Sequence, residues 1–351
     1  VQSNIDAFQP EVKAFLHFFT AGLYHSYYNV NRWNIDRRTG TGDHTDADIK
    51  TWTKSDFHAA VDEEYQAVFE YKAHLDKTSI KKYPELIEQD AYSFEIQPSL
   101  YDFFAHEIAD YYTQRANGSR SNQDKLLNSN VFLPAQLFIA TDYCLTSESD
   151  AEKAIGVLRE LLKFRLSDDL GYARVYTDIK RLKTAAGLFK KQSKDNALFE
   201  ALVKLQMQFE DEPAVRLIEY ALADWYFSKA EEITHRPDDT LKAHYYQRAD
   251  HICSGLIDRF PDTRSAKLAA QMKQNLRRPE LNFTCDNSLI PDQHFPILVE
   301  YRNLPDMYLT VLKVDRDAFI KVINTEYGQE RKDAFMNLGE TLRSKRIELP
   351  G

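Results

Sequence analysis

A chain of 351 residues with 43% hydrophobic and 28% charged residues has room for two or three domains and reads as soluble and globular. Its net charge of −9 argues against a nucleic-acid surface, because Arg37-Arg38 and Arg277-Arg278 are too local to form the basic stripe that displaces counterions. The 20 tyrosines and 21 phenylalanines against 11 glycines suit helix-on-helix packing better than a loop-rich enzyme, and no apolar run reaches the roughly 18 residues needed to cross a bilayer.

Val1-Gln-Ser-Asn-Ile5 shows neither an initiator methionine nor a signal peptide and reads as an internal boundary, with room for targeting signals upstream. Residues 1–128 carry several amphipathic helices. Val12, Phe15, Phe18 and Phe19 share one face, followed by Leu23 and the Tyr24, Tyr27, Tyr28 cluster. The stretch from Tyr24 to Asn34 mixes aromatics with hydrogen-bonding groups, so Tyr24, Tyr27, Tyr28, Arg32 and Trp33 form either a ligand-binding seam for sugar or peptide or an aromatic seam between helices. Turn residues interrupt at Arg37–Asp46, and Asp46 or Asp48 is placed to cap a short helix leading to Trp52. Phe57, Val61, Tyr65, Val68 or Phe69, and Leu75 then predict a longer helix. At Pro98-Ser-Leu-Tyr-Asp102 the spacing predicts a capping box, Ser99 capping and Asp102 three residues on. Asn117–Asn122 reads as a loop or linker.

From Asp150 the helices become regular: 151–164, 171–189, 196–209, 212–233, 240–260 and 262–276. Such lengths with short joints indicate helical hairpins, the unit of an α-solenoid. The last two resemble the tetratricopeptide repeat. Tyr246, Ala249, Ile252, Ile257 and Pro261, then Ala266, Ala269 and Ala270, place small residues where helices approach closely. Near Pro279 the pattern changes. Leu281–Cys285, Pro296–Tyr301 and Tyr308–Val314 are short β-branched and aromatic runs bounded by Pro, Asn and Asp, which predicts three strands. One or two helices follow within 317–345, then a final Arg346-Ile-Glu-Leu349. The expected organisation is therefore mainly α: an N-terminal helical region (1–128), helical hairpins (129–278) and a small, incomplete β-sandwich with a helical insertion (279–351). A two-sheet sandwich needs about seven strands in about 100 residues, so the β part is expected to be a fragment or a smaller variant.

Candidate chemistry is sparse. His106-Glu107-Ile-Ala-Asp110 is similar to the His-Glu-x-x-His zinc helix, yet a third ligand has no obvious source and Phe103, Phe104, Tyr111 and Tyr112 favour a packed histidine satisfied by a neighbouring helix. Asp43, Asp46 and Asp48 lack the spacing and terminal Glu of a calcium loop. His244 and His251 have no carboxylate partner in the pattern and read as exposed helix-face residues. Thr39-Gly-Thr-Gly42 lacks the third glycine and the Lys-Ser/Thr of phosphate loops, and no Gly-x-Ser-x-Gly elbow occurs. Cys144, Cys253 and Cys285 form no Cys-x-x-Cys pair. The pattern therefore selects no catalytic residue, metal or cofactor.

Several segments in order resemble the N-terminal region of the large alpha-2-macroglobulin-like proteins of Bacteroides-type bacteria. They are Asn31–Thr39, Pro98–His106, Arg259–Ala266, Phe295–Leu304 and Met307–Asp315. The resemblance implies a helical, repeat-like region ahead of a first macroglobulin-like sandwich beginning near Pro279. It also implies an extracytoplasmic setting, in the periplasm or at the cell surface, and a role in protease trapping. The partners it implies are other domains of the full-length chain, target proteases and other envelope proteins. The family's thioester needs Cys followed three residues later by Gln. Here Cys144, Cys253 and Cys285 are followed at that distance by Ser147, Leu256 and Ser288, so no reactive residue carries over. The resulting expectation is a non-catalytic scaffolding and interaction segment. The alternative is a stand-alone peptide- or glycan-binding helical-repeat module using the Tyr24–Trp33 seam.

Overall fold

The computed structural model describes residues 8–38, 48–118, 129–143, 147, 149–167, 171–189, 194–233, 239–286, 294–325 and 327–349. They are mainly helical, with a small antiparallel strand region at the C-terminal end. The chain separates into two compact units, Val1–Ala270 and Gln271–Gly351.

The first unit opens with α1 (Pro10–Ile35), whose leading proline fits a first turn that needs no N–H donor there. α2 (Lys54–Glu70) starts from a capping box: Thr53 accepts from the Asp56 amide and Asp56 from the Thr53 amide. Thr53, rather than Asp46 or Asp48, thus caps the helix after the polar loop. Asp48 closes a turn instead, its Oδ1 accepting from the Lys50 amide at 3.0 Å, and no short helix forms over 48–52. A break at Tyr71 separates α2 from α3 (Lys72–Leu75), so the predicted long helix is interrupted before Leu75. α4 (Ala91–Ile96) is capped by Asp90.

α5 (Leu100–Gly118) carries the expected Ser99–Asp102 box, with Ser99 N and Oγ donating to Asp102 Oδ2 at 2.9 and 2.7 Å. The segment expected as a loop from Asn117 begins inside this helix, and its remaining residues lie outside the described ones. After the short α6 (Ala135–Phe138) come α7 (Asp150–Arg165), α8 (Gly171–Leu188), α9 (Lys194–Gln208), α10 (Val215–Glu232), α11 (Asp239–Arg259) and α12 (Arg264–Arg277), close to the predicted ranges.

One core joins α1 (Ala14, Phe15, Ala21), α2 (Val61, Tyr65, Val68), α5 (Leu100, Phe104, Ile108, Tyr112) and α7 (Ile155, Leu158, Leu162) with Ala185 and Leu188 of α8. This core runs without a break across both helical stretches that the expected boundary at 128 divides. A second core gathers Val175, Ile179 and Leu182 of α8 with Leu202 and Leu205 of α9 and Leu217, Ile218, Ala221 and Leu222 of α10. α8 thus supplies side chains to both interiors. α11 packs on α10 and buries Ala249, Cys253 and Leu256; Ala266 and Ala269 of α12 are buried, whereas Pro261 is exposed.

In the second unit, β1 (Glu280–Thr284) pairs antiparallel with β2 (Leu298–Arg302), and β3 (Asp306–Lys313) with β4 (Glu340–Glu348). These are two separate two-stranded sheets, and α13 (Arg316–Thr325) and α14 (Gly328–Met336) lie between β3 and β4 in sequence. Asn303 Nδ2 donates to the Leu276 carbonyl at 2.7 Å, closing the last turn of α12. Gly339 precedes β4 where an added Cβ would collide with the Lys313 carbonyl oxygen, so the hairpin closes only around a residue without a side chain. Large apolar groups of this unit, among them Phe283, Tyr308, Val311 and Leu342, remain exposed.

Candidate functional site

The proposed seam divides along α1. Tyr24, Tyr27 and Tyr28 turn toward the start of α2, where they meet Ile49, Trp52 and Phe57. Ring centroids lie 5.3 Å apart for Tyr24–Trp52, 5.6 Å for Tyr27–Phe57 and 5.2 Å for Trp52–Phe57, the spacing of edge and offset contacts that rigidify an aromatic cluster. The Tyr28 hydroxyl donates to Asp36 Oδ1 at 2.8 Å, and burial together with that carboxylate pushes it up to about 12. Trp33 lies apart from these rings, on the solvent side, whereas exposed Arg32 shares the Asp36 carboxylate with Tyr28. Arg32 Nε reaches Asp36 Oδ2 at 3.3 Å, and the Arg37 guanidinium covers the Trp33 ring at 3.9 Å.

Beside the aromatic cluster, the end of α1 and the start of α2 border an open surface depression of about 600 Å³ lined by Ile35, Asp36, Arg38, Thr53, Lys54, Ser55 and His58. Arg38 donates to the Trp52 carbonyl at 2.7 Å and so ties the two walls together. The His58 imidazole is driven down to about 4, first by burial and then by the Arg115 and Lys54 charges. Its neutral ring, the Lys54 ammonium and the Asp36 carboxylate give the depression polar groups suited to recognition.

Further along the same helices, the Arg115 guanidinium of α5 forks between Asp62 of α2, at 2.9 and 3.1 Å, and Asp150 at the start of α7, at 2.7 Å. Lys153 adds a second cation on Asp62 at 2.5 Å. Each carboxylate is therefore held by a cation, and the cluster as a whole fixes α2, α5 and α7 against one another. A deeper pair joins α5 to α7: Arg165 Nε donates to Asp102 Oδ1 at 2.7 Å, and both side chains are fully buried. In α8, Arg181 is equally buried. It is held by Asp178 at 2.8 Å and by the Val131 and Leu133 carbonyls, beside a 390 Å³ groove walled by Leu182, Ala201 and Leu205.

These pairs escaped the sequence reading, although a signal was present. Arg165 continues the apolar phase of Leu158, Leu161 and Leu162, and Asp102 falls among Leu100, Tyr101, Phe104 and Ala105. A charge on an apolar helical stripe marks a buried pair when the opposite charge occupies another stripe.

His106 is buried as a packed residue, but among the described residues neither ring nitrogen has a hydrogen-bond partner, contrary to the expected satisfied histidine. Its ring instead lies edge-on to Tyr176 at 5.1 Å, and burial, with Lys180 and Arg165 nearby, holds it well below its ordinary value. Asp110 is taken by Lys180 at 2.7 Å, and Glu107 faces solvent, so the zinc-like spacing assembles no site. Among the described residues, no group of three or more His, Cys, Asp or Glu side chains is placed to hold a metal ion. His244 and His251 are exposed, Cys253 is buried and Cys285 exposed. Asp43, Asp46, Thr39–Gly42 and Cys144 lie outside the described residues.

Fold and site together define a mainly helical chain with a small antiparallel strand region, and no helix among the described residues is long and apolar enough to cross a membrane. Comparison with protein-family models, with characterised proteins and with solved structures gave no match.

Proposed function

We propose that this chain is a non-catalytic scaffold that holds and presents surfaces to other protein segments. One observation carries the reading: buried Asp102 and half-buried Asp62 and Asp150 are engaged by cations that lock helix to helix, and so serve architecture. The second unit supports it from the other side. Two-stranded ribbons are marginal alone, and apolar groups such as Phe283 and Tyr308 face solvent, which suits completion by strands from elsewhere.

The finer reading is an N-terminal segment of an alpha-2-macroglobulin-like envelope protease inhibitor. In it the helical pairs act as tetratricopeptide-like hairpins and the strands begin a macroglobulin-like sandwich. The ordered resemblance and the helix-to-strand switch support this. The partners would be the remaining domains of the same full-length chain, target proteases or other proteins of the envelope, outside the cytoplasm. Protease challenge of the full-length protein, with and without residues 1–351, tests it: loss of trapping on deletion is expected, and equal trapping removes the role.

A further inference from the structure

The outer face of α1 carries a stripe that the fold leaves unused. Leu16, Phe19, Leu23, Ser26, Val30 and Trp33 alternate in steps of four and three, the spacing of a two-helix seam. Phe19 is 44% exposed, Leu23 68%, Val30 85% and Trp33 71%, on a helix whose other face is anchored in two hydrophobic clusters. The positions flanking the stripe between Phe19 and Trp33 are the uncharged Thr20, Gly22, Tyr27 and Asn29, and the one charge at its edge is Arg37, stacked on the Trp33 ring. Nothing within 4 Å would meet a Cβ added at Gly22, which leaves open space beside Leu23 for an approaching backbone.

We propose that this face binds the same face of a second copy of the chain, with the two α1 helices antiparallel. The seam is self-complementary in that orientation. Trp33 meets Leu16 of the second copy, Val30 meets Phe19, and Leu23 meets Ser26, a large group opposite a smaller one in each layer, and symmetry repeats every layer. Charge selects the same orientation. A parallel pair would bring the two Arg37 guanidinium groups together at the end of the seam, whereas the antiparallel pair sends them to opposite ends and opposes the helix dipoles.

The exposed parts of Phe19 and Trp33 amount to on the order of 250 Å². With Leu16, Leu23 and Val30 the stripe reaches on the order of 500 Å² per copy, or about 1,000 Å² in total, the lower edge of a specific interface. The association is accordingly expected to be weak and reversible. It is independent of the scaffold reading, which concerns other protein segments.

Sedimentation equilibrium of the full chain, from low to hundreds of micromolar, tests the proposal. The expected result is a monomer–dimer equilibrium that Leu23→Glu weakens at least about tenfold while circular dichroism is unchanged. Phe19→Lys and Val30→Glu each weaken it as well. Combined in one chain they associate more tightly than either single variant, because both altered layers then pair Lys with Glu in the antiparallel register and like with like in the parallel one. A monomer at every concentration overturns the proposal and leaves the stripe to a helix of a different protein. Association unaffected by Leu23→Glu, or no tighter in the double variant than in either single one, also overturns it.

Discussion

Arg165→Met, which removes the cation from the pair joining α5 to α7, leaves the Asp102 carboxylate fully buried, with Ser99 N and Oγ as its remaining donors among the contacts described above. An uncompensated buried charge costs about 3–5 kcal/mol. Asp102→Asn retains a capping side chain at the start of α5 but strands the guanidinium, at a similar cost of about 3–5 kcal/mol. The double variant contains neither charge and loses only hydrogen bonds, so its penalty is about 1–2 kcal/mol, smaller than that of either single change. Urea denaturation of the four proteins, followed by far-UV circular dichroism, measures the cycle. Molar salt leaves the penalties nearly unchanged, because a buried pair is poorly screened. A double variant that falls within about 0.5 kcal/mol of the sum of the singles refutes the reasoning.

Acidification is expected to destabilise the helical unit. His58 and His106 both have folded values below their ordinary 6.5, so the unfolded chain binds more protons as pH falls. Stability is full above about pH 6.5 and declines below it, with a slope approaching about 1.4 kcal/mol per pH unit for His106 and less for the half-buried His58. Urea midpoints across this range check the decline, and an equally steep profile in His106→Leu contradicts it. Gly339→Ala is expected to open the β3–β4 pairing while leaving the helices intact. Hydrogen exchange should then accelerate at Leu309–Leu312 and remain slow in α5 and α7. In a Cys144→Ser background, a thiol reagent should modify exposed Cys285 in the native protein and reach Cys253 only on unfolding; mass spectrometry of the labelled peptides reads this directly.

The helices were legible because their apolar residues keep one phase: Leu158, Leu161 and Leu162 in α7, or Leu217, Ile218, Ala221 and Leu222 in α10, are both periodic and buried. The Ser99–Asp102 box was readable for the same local reason. What periodicity does not carry is partnership across elements. Nothing near Asp62 in sequence points to Arg115 or Lys153, and the unpartnered ring of His106 depends on how α5 meets Tyr176 of α8. The aromatic stretch on α1 misled by composition. Tyr24 and Trp33 read as neighbours in one seam, but nine steps at 100° per residue place them on opposite sides of the helix, one against Trp52 and the other in solvent. Turn chemistry decided the rest, because Thr53 with Asp56 satisfies two amides where Asp48 satisfies only one.

α8 is the common wall of two interiors, with Ala185 and Leu188 on one side and Val175, Ile179 and Leu182 on the other. Neither interior can liquefy while its neighbour stays solid, since loss of this one helix strips both of their lining. The two interiors are therefore expected to unfold together, and the amides of α8 to be among the slowest to exchange in the helical unit.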